Sequence, residues 1–212
     1  MIPGPHPLTN GLVVMFEGSD GVGKTTQIEL TQKALEAAGW PVLSTRNLGG
    51  TPIGEALREV LLSPVERPAM TDFYVSLAIQ EPLLDLIDAT RKEGKIVLMD
   101  RGPLSLAAYQ VFGAGVDETT GWRHVEAGMD RIRPEAVILY DMDVQQAMER
   151  KRQRASADYF ESKPADYFQR VAEGYRTAAG RYDATVIDAA QSAEVIQEQT
   201  IAIISGLLAT EA

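Results

Sequence analysis

The run Gly18-Ser-Asp-Gly-Val-Gly23-Lys24-Thr25 constrains this chain more than any other stretch of it. It satisfies G-x-x-x-x-G-K-[ST] at every position, follows the apolar segment Leu12–Glu17 and opens a helical pattern at Lys24. Glycines at 18, 21 and 23 let the backbone turn tightly with its N–H groups facing inward, and the start of a helix adds the positive end of its dipole. Strand, loop and helix in this order form a cradle for phosphate. Gly18, Ser19, Asp20, Gly21, Val22, Gly23, Lys24, Thr25 and Thr26 would wrap the phosphates of ATP, Lys24 reaching the β- and γ-phosphates and the Thr25 hydroxyl holding Mg2+. The motif alone does not separate a small-molecule kinase from a GTPase or a motor ATPase.

The rest of the chain repeats the alternation that this loop begins. Leu12–Glu17, Val42–Thr45, Ile96–Asp100, Ala136–Asp141 and Thr185–Asp188 read as five short strands, each nearly continuously apolar, as expected of a parallel sheet buried on both faces. Between them lie helical patterns over Lys24–Ala38, Ile53–Leu62, Met70–Glu93, Leu104–Val111, Val144–Arg152, Pro164–Ala179 and Ala193–Leu208. Gly39 and Gly94 are placed to close helices, and Pro164 suits a first helical turn. The expected fold is α/β, a five-stranded parallel sheet with helices on both faces. With no internal repeat and no low-complexity linker, residues 1–212 read as one domain, with 1–10 as a loose tail and about 150–163 as a short lid. Phe112–Asp117 and the surroundings of His124 give no clear signal.

Bulk properties remove several function classes. The absence of cysteine leaves neither a disulfide framework nor a thiolate nucleophile, which fits a cytoplasmic protein. A net charge of −10 argues against broad binding to nucleic acid or to an anionic membrane. No apolar run approaches the ~18 residues of a membrane span, and the start lacks the basic and apolar regions of a signal peptide. A phosphorylated small-molecule partner needs only local positive charge.

Four further segments, with the loop, carry a resemblance to a known family. Phe16–Thr26, Thr45-Arg46 with Gly49-Gly50-Thr51, Asp100-Arg101 with Ser105 and Ala108-Tyr109-Gln110, Asp166–Tyr175 and Val186–Ala190 follow one another in the order and spacing of thymidylate kinases. The resemblance runs over nearly the whole chain. It implies a P-loop NTPase fold with a short lid, transfer of the ATP γ-phosphoryl group to dTMP, Mg2+ as cofactor and a homodimer. Asp100 and Arg101 stand at the carboxyl end of a predicted strand, where open α/β sheets bind ligands. There Asp100 can order Mg2+ and Arg101 can bridge the two phosphate groups. The resemblance further implies that Asp20 serves the acceptor sugar or the metal shell, that Arg46 and Ser105 line the acceptor site, that Tyr109 lies under the sugar and that Ala190 belongs to the adenine loop. The basic run Arg150-Lys-Arg-Gln-Arg154 reads as a lid cation source, Arg150 and Arg154 being the candidates, because the phosphate loop itself carries no arginine.

The acceptor side departs from the family pattern. Asn47-Leu48 replaces Glu-Pro in the T-R-E-P-G-G run, Ile79 stands at the expected position of a base-contacting arginine, and Leu106 follows Ser105 where a polar residue is usual. Within the lid, Asp158-Tyr-Phe-Glu161 lacks the family's arginine. A buried hydrogen-bonding edge left unpaired costs ~1–3 kcal/mol, so base choice is the open property. Two alternatives therefore stand: the same transfer to another nucleotide, nucleoside or small acceptor, and a non-catalytic nucleotide-binding member. A GTPase would carry N-K-x-D, which is absent.

Overall fold

The computed structural model describes residues 2–153 and 163–210. Five strands, β1 (Leu12–Glu17), β2 (Val42–Arg46), β3 (Ile96–Asp100), β4 (Ala136–Asp141) and β5 (Thr185–Asp188), form one parallel sheet in the order β2-β3-β1-β4-β5. The central strands β1, β3 and β4 are buried almost throughout, whereas β2 and β5 are largely half-buried or exposed. The apolar runs predict continuous burial for all five, but β2 and β5 are the sheet edges, with a neighbour on one side only. Phe16 and Arg46 both pair with Asp100, which brings the carboxyl ends of β1, β2 and β3 level.

The helices are α1 (Lys24–Ala37), α2 (Pro52–Leu62), α3 (Ala69–Lys92), α4 (Pro103–Leu106), α5 (Glu118–Ile132), α6 (Val144–Arg152), α7 (Ala165–Arg181) and α8 (Ala193–Thr210). Strand alternation sorts the core into two layers. Leu12, Val14 and Phe16 pack with Ile28, Leu35, Ile204 and Leu208 of α1 and α8. Val13 and Met15 face the other way, onto Phe73, Leu83 and Ile87 of α3 and Met129 of α5. By the same parity Glu17 points into the second layer.

Three findings differ from the sequence reading. First, α5 is an additional helix, capped by Asp117, which accepts from Thr120 N at 2.9 Å. Its glycines allow close contact: a Cβ on Gly121 would collide with Val111, and one on Gly128 would lie 2.8 Å from Pro103. Second, the segment expected as one helix over Leu104–Val111 is the single turn α4 followed by a π-helical turn, Ala107–Gly113, whose end is closed by Ala114 N donating to Tyr109 O at 3.0 Å. Third, the amino-terminal segment expected to be loose packs onto the body. Trp40 Nε1 donates to Pro3 O at 2.9 Å, His6 meets the Trp40 ring edge-on, and Leu8 is buried. Among the described residues no helix is long and apolar enough to cross a membrane.

Candidate active site

A cleft of about 290 Å³ opens at the carboxyl ends of β1, β2 and β3. One wall is the turn between β1 and α1. Its glycines at 18, 21 and 23 have φ of 137°, 86° and 96°, and a Cβ on Gly21 would collide with the Ala147 carbonyl of α6. No L side chain fits that position without moving α6. Lys24 is buried, its Nζ donating to Gly18 O and Ser19 O at 2.8 Å each. Burial and the nearby Arg101 charge push the Lys24 amine down to about 8, against the pull of Asp100, Asp20 and Glu17. Thr25 is exposed at the cleft and Thr26 half-buried, while Val22 is buried beneath the turn.

The opposite wall begins where β3 ends. Arg101 has φ of 63°, a left-handed conformation uncommon for a non-glycine residue. Its guanidinium donates to Gly18 O at 2.9 Å, to the Tyr175 hydroxyl and to Asp20, and lies over the Tyr109 ring with the centroid at 5.1 Å. Lys151 Nζ reaches the other Asp20 oxygen at 3.1 Å. Burial alone would raise Asp20, but Arg101, Lys151 and Lys24 hold its carboxyl well below the usual carboxylate range. Asp100 lines the cleft with a buried Oδ1 that has no hydrogen-bond partner among the described residues.

The acceptor-side wall is built by the β2–α2 turn, α3 and the π turn. Thr51 caps α2 by accepting from Gly54 N at 3.1 Å, with Pro52 in the first helical turn. Glu55 accepts from Gly50 N at 2.9 Å and from Arg46 at 2.8 Å, folding the turn back so that Arg46 and Arg58 border the cleft. Asn47 ties this turn to the next: its N donates to Asp100 O at 2.8 Å and its amide to Gly102 O at 3.4 Å. The neutral side chain thus donates to one backbone carbonyl and accepts from Leu48 N at 2.8 Å.

Most candidates read from the amino-acid sequence are therefore neighbours, since Asp20, Gly21, Gly23, Lys24, Thr25, Arg46, Asp100, Arg101, Ser105, Leu106 and Tyr109 line one cleft. Two do not lie where expected. Ile79 is fully buried, outside the cleft lining, and the residues of α3 that line the cleft are Ser76 and Gln80. Residues 76 and 80 are one helical turn apart, whereas Ile79 is rotated by about 100° from Gln80 and is buried. Arg150 turns away from the phosphate loop and donates to Ala189 O at 2.9 Å, beside the loop that holds Ala190. One residue further round α6, Lys151 is the cation that reaches Asp20. Arg154 and Asp158–Glu161 lie outside the described residues.

Sequence reasoning missed Lys151 as the cation facing the loop, and it missed Gln80 and Gln110. Both carboxamides line the cleft and are buried; among the described residues Gln80 makes no hydrogen bond and Gln110 Oε1 has no partner. Glu17 was missed as well. Burial pushes its carboxyl up, against the hydrogen bonds of Ser105 and Gly102 and the charge of Arg101.

The chain is similar to known proteins over most of its length. A family model described as thymidylate kinase matches residues 16–200. A thymidylate kinase of Pelotomaculum thermopropionicum is 36% identical over 192 residues, covering 88% of this chain and 89% of the relative. One of Pseudomonas fluorescens is 34% identical over 203 residues, covering 93% and 97%. The crystal structure of thymidylate kinase from Ehrlichia chaffeensis shares the fold, with a TM-score of 0.72 at 23% identity over 92% of this chain and 99% of the other.

Proposed function

Because the chain belongs to the thymidylate kinase family, we infer that it is an ATP-dependent kinase that transfers the γ-phosphoryl group of ATP to dTMP, giving dTDP and ADP. The observation that carries the chemical reading is that one cleft joins the phosphate loop to Arg46, Gln80 and Tyr109 of the acceptor side. An oxygen of the acceptor phosphate attacks the γ-phosphorus, and the bond to the β–γ bridging oxygen breaks. No covalent step on the protein is needed, so the residues act by position and charge.

Their proposed roles follow from where they stand. The backbone N–H groups of Gly21, Val22 and Gly23 cradle the donor phosphates, and Lys24 exchanges the Gly18 and Ser19 carbonyls for β- and γ-phosphate oxygens. Arg101 bridges donor and acceptor phosphates, with Arg46 on the acceptor phosphate. Tyr109 lies against the sugar and Asp20 near its 3′-hydroxyl. Arg150 and Ala190 flank the adenine, and Lys151 contributes positive charge beside the loop.

Thr25 and Asp100 suit Mg2+. Among the described residues no group of three or more acidic or histidine side chains could hold a metal, but Mg2+ favours one or two protein oxygens with phosphates and water. The buried Asp100 Oδ1, without a partner among the described residues, fits that pattern. Bound there, the ion would neutralise charge on the transferring phosphates.

Base reading falls, in this proposal, to Gln80 and Gln110. Each carboxamide offers a donor and an acceptor, which matches the alternating N–H and C=O edge of thymine, while Leu106 supplies apolar surface. A cytoplasmic homodimer completes the reading, supported by the lack of cysteine and by exposed Ile53, Val60 and Tyr74 on α2 and α3.

The test is turnover of purified protein with Mg-ATP against a panel of nucleosides and nucleoside monophosphates, with the product identified. Selective formation of dTDP is the expected result. Turnover of another acceptor would move the substrate, and no acceptor-dependent ADP release would overturn the kinase.

A further inference from the structure

Glu17 ends β1 one residue before the phosphate loop and is fully buried, with no surface open to a ligand. A carboxylate in that position is costly unless both oxygens are hydrogen-bonded. Oε1 accepts from Gly102 N at 2.8 Å and Oε2 from Ser105 Oγ at 2.7 Å. The chain of bonds continues: Ser105 Oγ lies 2.7 Å from the Tyr175 hydroxyl, which accepts from Arg101.

The donor inventory gives this chain a direction. Arginine can only donate, so Tyr175 accepts from it and turns its single proton to Ser105. Ser105 then turns its own proton to Glu17, and the carboxylate ends the sequence as an acceptor. At its other oxygen Glu17 holds the peptide that follows the left-handed Arg101. Gly102 permits this approach, since a Cβ there would lie 2.8 Å from Met15.

We propose that Glu17 is a positioning residue for transfer, fixing Arg101 both through its backbone turn and through the Ser105–Tyr175 relay. The proposal rests on the reading of Arg101 as the bridge between the two phosphates. Glu17 touches neither nucleotide and acts only through Arg101.

Glu17→Gln is nearly isosteric and tests the direction of the relay. Its oxygen can keep Gly102, but its amide can only donate to Ser105. Ser105 then either donates to Tyr175, whose own proton loses its acceptor, or accepts from both neighbours and leaves its own proton without an acceptor among the described residues. The expected result is kcat lowered ~10- to 100-fold, with KM for ATP and for dTMP each within about threefold. Tyr175→Phe should give a similar loss, and the double variant should be no worse than the poorer single one. Ser105→Ala interrupts the same relay with Glu17 in place, and should also lower kcat if Glu17→Gln does not fold. Normal kcat in folded Glu17→Gln, losses that multiply in the double variant, or a loss confined to KM would each overturn the proposal. Arg101→Ala separates the premise: full activity there would overturn the bridging role itself, whereas an inactive Arg101→Ala beside a normal Glu17→Gln would overturn only the role of Glu17.

Discussion

In the phosphate loop Lys24 is bonded to the carbonyls of Gly18 and Ser19, and Asp20 is held between Arg101 and Lys151. On the acceptor side Gln80 has no partner among the described residues, and Gln110 Oε1 is buried and equally alone. The loop charges are paired within the protein, whereas Gln80 and Gln110 Oε1, like the Asp100 Oδ1 that suits Mg2+, have no partner among the described residues. Phosphate is the same group in every nucleotide, so its cradle can be assembled in advance from backbone and fixed charge. A base must be told from other bases, and that requires polar groups left open until the right edge pairs with them.

This contrast can be broken by experiment, beginning with the largest effect. Lys24→Ala should lower kcat/KM for ATP ~10³-fold in an ADP-release assay, because a preorganised charge is lost from the reacting phosphate. A small effect would mean that the donor side is not the prearranged half. Gln80→Leu should raise KM for dTMP ~5- to 150-fold and leave KM for ATP unchanged, as measured by initial rates with each substrate varied. Equal damage to both constants would show that the two sides are not separable.

The smallest effect concerns pH. Burial and Arg101 hold the Lys24 amine at about 8, below the usual lysine value. Phosphate favours the protonated amine, so charge useful for ATP capture is present below pH 8 and lost above it. The kcat/KM for ATP should therefore fall about tenfold per pH unit above that value, while kcat, which reports the loaded site, stays level. A profile for dTMP that bends at the same point would blur the division.

How much was legible in the sequence follows the same line. The phosphate loop was readable because its demands fall on backbone: glycines at three spacings, a lysine and a threonine, all contiguous. The central strands were readable because burial on both faces makes apolar runs. Helix α5 was obscured by Gly121 and Gly128, which reduce its helical character yet allow Val111 and Pro103 to approach. The base-reading wall was obscured by register, since a shift of one residue on α3 exchanges Gln80 for the core residue Ile79. Glu17 was hidden differently: it completes an apolar strand and looks like the last residue before a loop. Its partners Gly102, Ser105 and Tyr175 are distant in sequence, and only the fold shows them together. That Lys151 faces the loop while the candidate Arg150 does not likewise depended on which way α6 faces.

The π-helical turn at Ala107–Gly113 carries a last consequence. A wider turn holds a surplus residue compared with an α-helix of the same rise, and such turns often lie at functional sites. Here the surplus falls on the stretch that presents Tyr109 and Gln110 to the cleft. The segment is thus a length reserve: deleting one residue could be absorbed by relaxation to an ordinary helix, with the neighbouring elements left in place. What would change is the rotational setting of the two side chains. Descent with loss of a residue at this point would alter what the pocket accepts while leaving the architecture around it intact.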